Sequence, residues 1–162
     1  MGHSMRRSDR EITDSAEIDR LLSGARYATI ALVDGDEPYV VTLSCGYDAA
    51  QRNLCFHVAP TGRKLDVIAS NPKACATIVA DLGYKDGACA HPFESVVMTG
   101  TVRVLDDPEE IRAGMRVLIG QLESAGDTAA IFARNKLDTD DALERFRMLV
   151  FQIEEITAKA GE

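Results

Sequence analysis

Six stretches of the chain alternate apolar and polar positions at the period of a strand, and three recur at helical spacing. Ile18, Leu21, Leu22 and Ala25 form one apolar helical face; Asp14 ahead of it is a cap, and Glu17, three residues on, completes a capping box. Tyr27–Val33 and Tyr39–Tyr47 read as strands around turn chemistry at Asp34–Pro38, which predicts a hairpin. Asp48–Asn53 is a second polar turn, and Leu54–Ala59 a third strand. Arg63–Ser70 predicts a short helix with Leu65 and Ile68 on one side, stopped by Asn71-Pro72. Ala74–Ala80 and Glu94–Leu105 predict the fourth and fifth strands, separated by a loop over Leu82–Phe93. Asp107 as cap, Pro108 at the first position and acids near the positive end of the dipole start a longer helix that runs to about Ser124. Asp127–Leu143 reads as irregular with short helical pieces, and Phe146–Glu154 as the last strand.

Strands joined by short turns pair antiparallel. Six such strands, this hydrophobic and with few helices to cover them, tend to close on themselves. The expectation is a mainly β fold, a six-stranded antiparallel barrel with flanking helices. The 162 residues suit one domain, placed at residues 5–158, with Met1–Ser4 read as a cloning scar and Met5 as the natural start.

Charge narrows the function. The formal net charge of −8 argues against a nucleic-acid partner held through phosphates, though not against a small anion, which needs only a few local donors. No run of about 18 apolar residues predicts a membrane span, and the N-terminus lacks a signal peptide's apolar core. Cys45, Cys55, Cys75 and Cys89 form no C-x-x-C pair; free, mostly buried thiols and a cytoplasmic location are expected.

The segment Leu54–Leu65 carries the chemistry. A strand ends, Gly62 frees the backbone, and Arg63 and Lys64 stand in the first turn of a helix, where amides point outward unpaired. Thr61 adds a hydroxyl. Cations there oppose the helix dipole, so an anion such as a phosphate monoester would relieve a local cost. The other reading is a plain surface turn with solvated Arg63 and Lys64.

The motifs Arg6-Arg7-x-Asp9-Arg10-Glu11-Ile12, Pro38-Tyr39-Val40-Val41-x-Leu43-Ser44-x-Gly46-Tyr47, Phe56-His57-x-Ala59-x-x-Gly62-Arg63-Lys64-x-Asp66-x-Ile68-x-x-Asn71-Pro72 and Ser95-Val96-Val97-x-x-Gly100 come in that order. Together they resemble the pyridoxamine 5′-phosphate oxidase-related flavoproteins, and within them the nitroimidazole-resistance reductase group. The resemblance implies a split β-barrel and a homodimer with FMN at the subunit interface. It implies that Arg63 and Lys64 grip the phosphate, with Thr61 and Gly62 beside them. Val41, Thr42, Leu43 and Ser44 would lie along the flavin ring, partly through backbone groups, and His57, Val58 and Ala59 would flank the ring or ribityl chain. The chain departs from the pattern at Thr42, where proline is usual, at Ser44-Cys45, and at Ala88–Phe93, where an aromatic-rich run is common; substrate specificity does not carry over.

His57 is the candidate catalytic group, as a donor to flavin or substrate when neutral or a proton source when charged; a structural strand histidine is the alternative. Cys55 shares its face, and with Cys89 and His91 a zinc site can be imagined, but two ligands do not make one and no metal is expected. His91 is an exposed loop histidine, a substrate-side group, or a haem ligand, since relatives of this fold bind haem. Tyr39, Tyr47 and Phe56 read as core or hairpin aromatics; Phe93 and Phe132 are candidates to stack on a partner's flavin. The expected activity is an FMN-dependent oxidoreductase passing electrons to a small acceptor such as a nitroaromatic. The alternatives are a flavin-binding or storage module without turnover, and a haem protein using His57 or His91.

Overall fold

The computed structural model describes residues 5–123 and 127–161; the proposed scar at Met1–Ser4 and the expected helix end at Ser124 lie outside them. Strands β1 (Tyr27–Asp34), β2 (Glu37–Asp48), β3 (Asn53–Val58), β4 (Lys73–Asp81), β5 (Phe93–Val104) and β6 (Arg147–Gly161) close in the order β1-β2-β3-β6-β5-β4. Every pairing is antiparallel, so the expected six-stranded antiparallel barrel is the architecture.

Alternation sorts the side chains. Ala28, Ile30 and Leu32 of β1, Leu54, Phe56 and Val58 of β3, and Val96, Met98 and Val102 of β5 fill one interior cluster. The closing β1–β4 seam runs only from Thr29 to Ala31 on β1. Hydrogen bonds net about 0.5–1.5 kcal/mol each, against about 1.5–3 kcal/mol for a fully buried Leu, Ile or Phe. Interior packing, with Ile30 facing Ala76 at the seam, therefore closes the barrel.

Helices finish the surface. α1 (Ser15–Gly24) lies at the end where β1 begins and inserts Leu21 and Leu22 into the interior; α2 (Arg63–Ser70) lies at the opposite end and inserts Val67 and Ile68. α3 (Pro108–Leu122) covers the outer face of β2, β3 and β6. Asp14 and Asp107 cap α1 and α3 as expected, accepting from the Ala16 and Glu110 amides at 3.0 and 2.9 Å. The capping-box role given to Glu17 does not appear among the described residues; its carboxylate lies 3.9 Å from Arg20. The ambiguous stretch folds into α4 (Thr128–Asn135) and α5 (Asp140–Leu143). With α3 they enclose a second apolar cluster, including Cys55, Met115, Leu118, Phe132, Phe146 and Met148.

The last strand continues to Gly161, well past Glu154 and past the domain end placed at residue 158. Two adjacent acids look like a strand end, but the register with β5 shifts between Thr99 and Gly100. This bulge lets Glu154 and Glu155 both face solvent before Ala158 turns inward again.

The seat of α3 depends on Gly46. A Cβ there would stand 2.6 Å from the Leu118 Cα and 2.8 Å from its nitrogen, so only hydrogen fits beneath the helix. Gln121, one turn on, accepts from the Tyr47 amide at 2.8 Å and donates to the Leu22 and Ala25 carbonyls at 3.0 and 2.6 Å. It thereby satisfies the C-terminal end of α1. Gly46→Ala is expected to lower the unfolding free energy by about 1–3 kcal/mol, read from the midpoint of urea denaturation.

Candidate functional site

β2 pairs with β1 from Glu37 to Ser44 but with β3 only from Cys45 to Asp48. Before Cys45 the strands part, and the far edge of β2 belongs to no ladder among the described residues. The Cys45 amide donates to the Arg26 carbonyl at 3.1 Å, on the β1 side. By alternation, the amides of Val41 and Leu43 face β1, and those of Val40 and Thr42 face the open edge. Side chains divide likewise. Val41 and Leu43 pack on the barrel core, whereas Thr42 and Ser44 are exposed outside, with Thr42 Oγ1 3.0 Å from Thr29 Oγ1. Of the four residues expected along a ring, Thr42 and Ser44 alone turn side chains outward.

The open edge ends at the N-terminus of α2. Gly62 caps this helix at φ 139°, a region that side chains rarely enter, and supplies no side-chain cap of its own. Thr61 is exposed and Lys64 half-buried, and Lys64 pairs with no carboxylate among the described residues. Arg63 differs. Its Nε donates to Asp34 Oδ2 at 2.8 Å, its Nη2 lies 3.9 Å from Glu37, and its guanidinium stacks 4.6 Å from the Tyr39 ring centroid. Asp34 and Glu37 thus supply counter-charge to Arg63 from the hairpin and offset part of the cost of a cation at this helix start. A guanidinium has five donors, so some remain for a ligand.

His57 stands where β2 and β3 part. Phe56 and Val58 point inward and are buried; His57 points outward with Cys55, as expected from their spacing. α3 covers Cys55, with its sulfur 3.6 Å from where a Gly114 Cβ would be. His57 lies beyond, exposed on one side and set against Phe146 on the other, ring centroids 4.7 Å apart and tilted 49°. Partial burial holds its imidazole below the ordinary value of 6.5. Ala59 is exposed at the strand's end.

A cavity of about 680 Å³ opens above His57, between β3 and the α3–α5 layer. Leu118, Ile119, Leu137 and Phe146 give it apolar walls, and Arg134, Lys136 and Arg145 stand among its lining residues, which include no carboxylate among the described residues. Lys136 adopts φ 55°, ψ 33° at the end of α4, a conformation that costs an L-residue roughly 1–2 kcal/mol and is usually given to glycine. Arg112 braces the segment beneath: it is buried, pairs with Glu109 at 2.8 Å and with Asp140, and donates to the Asp138 carbonyl at 3.2 Å.

The other sequence candidates lie elsewhere. His91 is 2.9 Å from Asp81 and edge-on to Tyr84, and lines a separate cavity of about 560 Å³ with Phe93, Val79, Val97 and Lys159. Phe132 is buried under Arg116 in the helical cluster, which removes it as a stacking surface for a partner's flavin. Phe56 is fully buried, and Tyr39 and Tyr47 pack on the core. All four cysteines are free; Cys45 and Cys55 are buried and their thiols pushed up to about 12 by burial. Among the described residues no three His, Cys, Asp or Glu side chains group to hold a metal, and no helix is long and apolar enough to cross a membrane. Gln121, Arg112 and Phe146 were not among the sequence candidates. Their signals were faint: a glutamine and an arginine in an amphipathic helix, and an aromatic at a strand's edge.

The family described as pyridoxamine 5′-phosphate oxidase matches residues 14–160. The chain belongs to this family. No curated protein matches it. Among solved structures, the chain is similar to a protein from Bacteroides thetaiotaomicron named as a candidate 5-nitroimidazole antibiotic resistance protein, at 21% identity and TM-score 0.76, over 93% of this chain and 86% of the other. It is similar to an FAD and heme binding protein from Mycobacterium smegmatis, at 19% identity and TM-score 0.76, over 94% and 74%. A flavocytochrome from Azotobacter vinelandii follows at 15% and 0.76, over 97% and 72%. At these identities the likeness establishes the fold, the split barrel of the pyridoxamine 5′-phosphate oxidase family.

Because the fold favours neutral His57, stability rises with pH between its depressed value and 6.5. In an NMR titration His57 should titrate below 6.5, and Phe146→Leu, which loosens the covered side of the ring, should move it upward. A value at or above 6.5 in the unaltered protein would contradict the partial burial described here.

Proposed function

We propose that the chain is a flavin-binding oxidoreductase whose cofactor is FMN and whose electron acceptor is a small molecule. The observation that carries this reading is the open edge of β2, which runs from the parting at His57 to the N-terminus of α2. From Ser44 to Tyr39 that edge spans about 17 Å at strand rise, a length suited to a ring system joined through a sugar chain to a phosphate. The donor set fits a phosphate at one end: the first-turn amides of an eight-residue helix, Lys64 with no carboxylate partner among the described residues, the Thr61 hydroxyl and the spare donors of Arg63. At the other end, Thr42 offers main-chain groups and Ser44 a hydroxyl. Membership of the family, and the flavin named for two proteins of the same fold, support the same reading.

A bound flavin supplies the hydride and electron transfer itself. The protein's part is to bind, orient and exclude water. Lys64 and the α2 amides anchor the anionic end. Arg63, held by Asp34 and Glu37, ties this anchor to the β1–β2 hairpin and so fixes its distance from Thr42. Neutral His57 has one N–H to donate and one bare nitrogen to accept, which suits it to a carbonyl or a proton in transit.

The same reading includes a homodimer. The outer face of β1, β2, β4 and β5 leaves Tyr27, Val40, Val79 and Val97 between 42% and 61% exposed. A partner seated on this face would bury the apolar strip and wall the open edge of β2.

The absorbance of the purified protein is the first test: flavin bands are expected, whereas a haem Soret band with no flavin uptake would overturn the proposal. Lys64→Ala should remove one charge-assisted contact of about 1.5–3 kcal/mol, weakening FMN roughly ten- to a hundredfold as followed by quenching of its fluorescence. Unchanged affinity would place the phosphate elsewhere.

A further inference from the structure

The cavity above His57 lies apart from the open edge of β2 and the start of α2, neither of which contributes a lining residue. The chain carries 26 acidic residues against 18 lysines and arginines, yet Arg134, Lys136 and Arg145 gather around one cavity whose lining includes no carboxylate among the described residues. None of the three forms an ion pair among the described residues, in contrast to Arg63, Arg103 and Arg112. The Arg145 side chain donates to the Asn135 carbonyl at 3.4 Å and to no carboxylate among the described residues. Lys136, one of the lining residues, is held in the left-handed conformation that a glycine would adopt without strain. Below the cations the walls are apolar, with Leu118 and Ile119 from α3, Leu137 beyond α4, and the Phe146 ring next to His57. The cavity, about 680 Å³, is in the range that takes small organic ligands, roughly 300–1,000 Å³.

We propose that this cavity binds an amphipathic organic anion, with its ring system or branched apolar body against Leu118, Ile119, Leu137 and Phe146 and its anionic group among Arg134, Lys136 and Arg145. The charge pattern selects the class. A neutral apolar ligand would leave three cations uncompensated, and an inorganic anion would leave the walls bare. The cavity takes none of its lining from α2 or from Val41–Ser44, so binding there can be measured whether or not α2 holds a flavin.

A matched pair of probes tests it on the full chain: 1-anilinonaphthalene-8-sulfonate, and N-phenyl-1-naphthylamine, which has the same rings without the sulfonate. Fluorescence titration should show one sulfonate site per chain, at least about tenfold tighter than the neutral probe and weakening as salt rises. Arg134→Gln with Lys136→Gln, both exposed, should cost the sulfonate about tenfold and leave the neutral probe unchanged. Equal affinity for the two probes, or full sulfonate affinity in the double variant, would overturn the proposal. If the double variant loses both probes together, Lys136→Gly decides. It relieves the strained backbone, so its Tm should rise by roughly 2–4 °C while the sulfonate weakens about threefold. A raised Tm with unchanged sulfonate binding would also overturn it.

Discussion

The parting of β2 from β3 beside the Cys45–Phe56 pair is the constraint on which the rest of the molecule depends. β2 is twelve residues long and serves two neighbours, β1 along its first part and β3 along its last four residues. A strand that paired with β3 throughout would offer no free main-chain edge. Because it does not, Thr42 faces outward with both side chain and backbone, and His57 stands at the fork, paired with Met148 of β6 but with no residue of β2. The interior remains whole despite the split, because Cys45, Leu54 and Phe56 are buried just where the strands still pair.

The fork also dictates what must cover it. α3 can lie across β2 and β3 only because Gly46 has no side chain, and Gln121 then fastens that helix to β2 and to the end of α1. Beyond α3 the layer continues through α4 and α5, and β6 is buried on both faces from Met148 to Phe151. Leu149 and Phe151 point into the barrel and Met148 and Val150 into the helical cluster. The unbroken apolar run from Met148 to Phe151 reflects this double burial.

Much of this was legible in the sequence. Six strands, three helices and the caps at Asp14 and Asp107 follow from period and turn chemistry, because each is decided locally. The continuation of β6 was not legible. Glu154 and Glu155 break the alternation, and only pairing with β5 across a bulge shows that the strand absorbs them. In the candidate site, the resemblance drew attention to Val41–Ser44 and to His57–Lys64, but it could not divide inward from outward residues, or show that Arg63 spends part of its charge on Asp34 and Glu37. The cavity was invisible because its walls come from α3 and from Asp127–Leu143, whose weak periodicity gains meaning only when Arg112 and Phe132 pin it down.

That pinning bears on why the helical annex has its present form. The barrel's interior cluster is complete without α4 and α5, whose apolar residues belong to the other cluster. Within the annex, a buried arginine is spent holding Glu109, Asp140 and the Asp138 carbonyl, where a well-packed apolar residue would often serve stability as well or better. What the arginine adds is position: it fixes the segment from Leu137 to Asp140 against α3, immediately after the strained Lys136. A polar anchor and a left-handed lysine in succession are costly for a covering layer and useful for a layer that must hold cations around an apolar cavity. The local costs of α4 and α5 and the charge pattern around the cavity therefore have one common physical explanation, a site built on the outer face of the fork that His57 occupies.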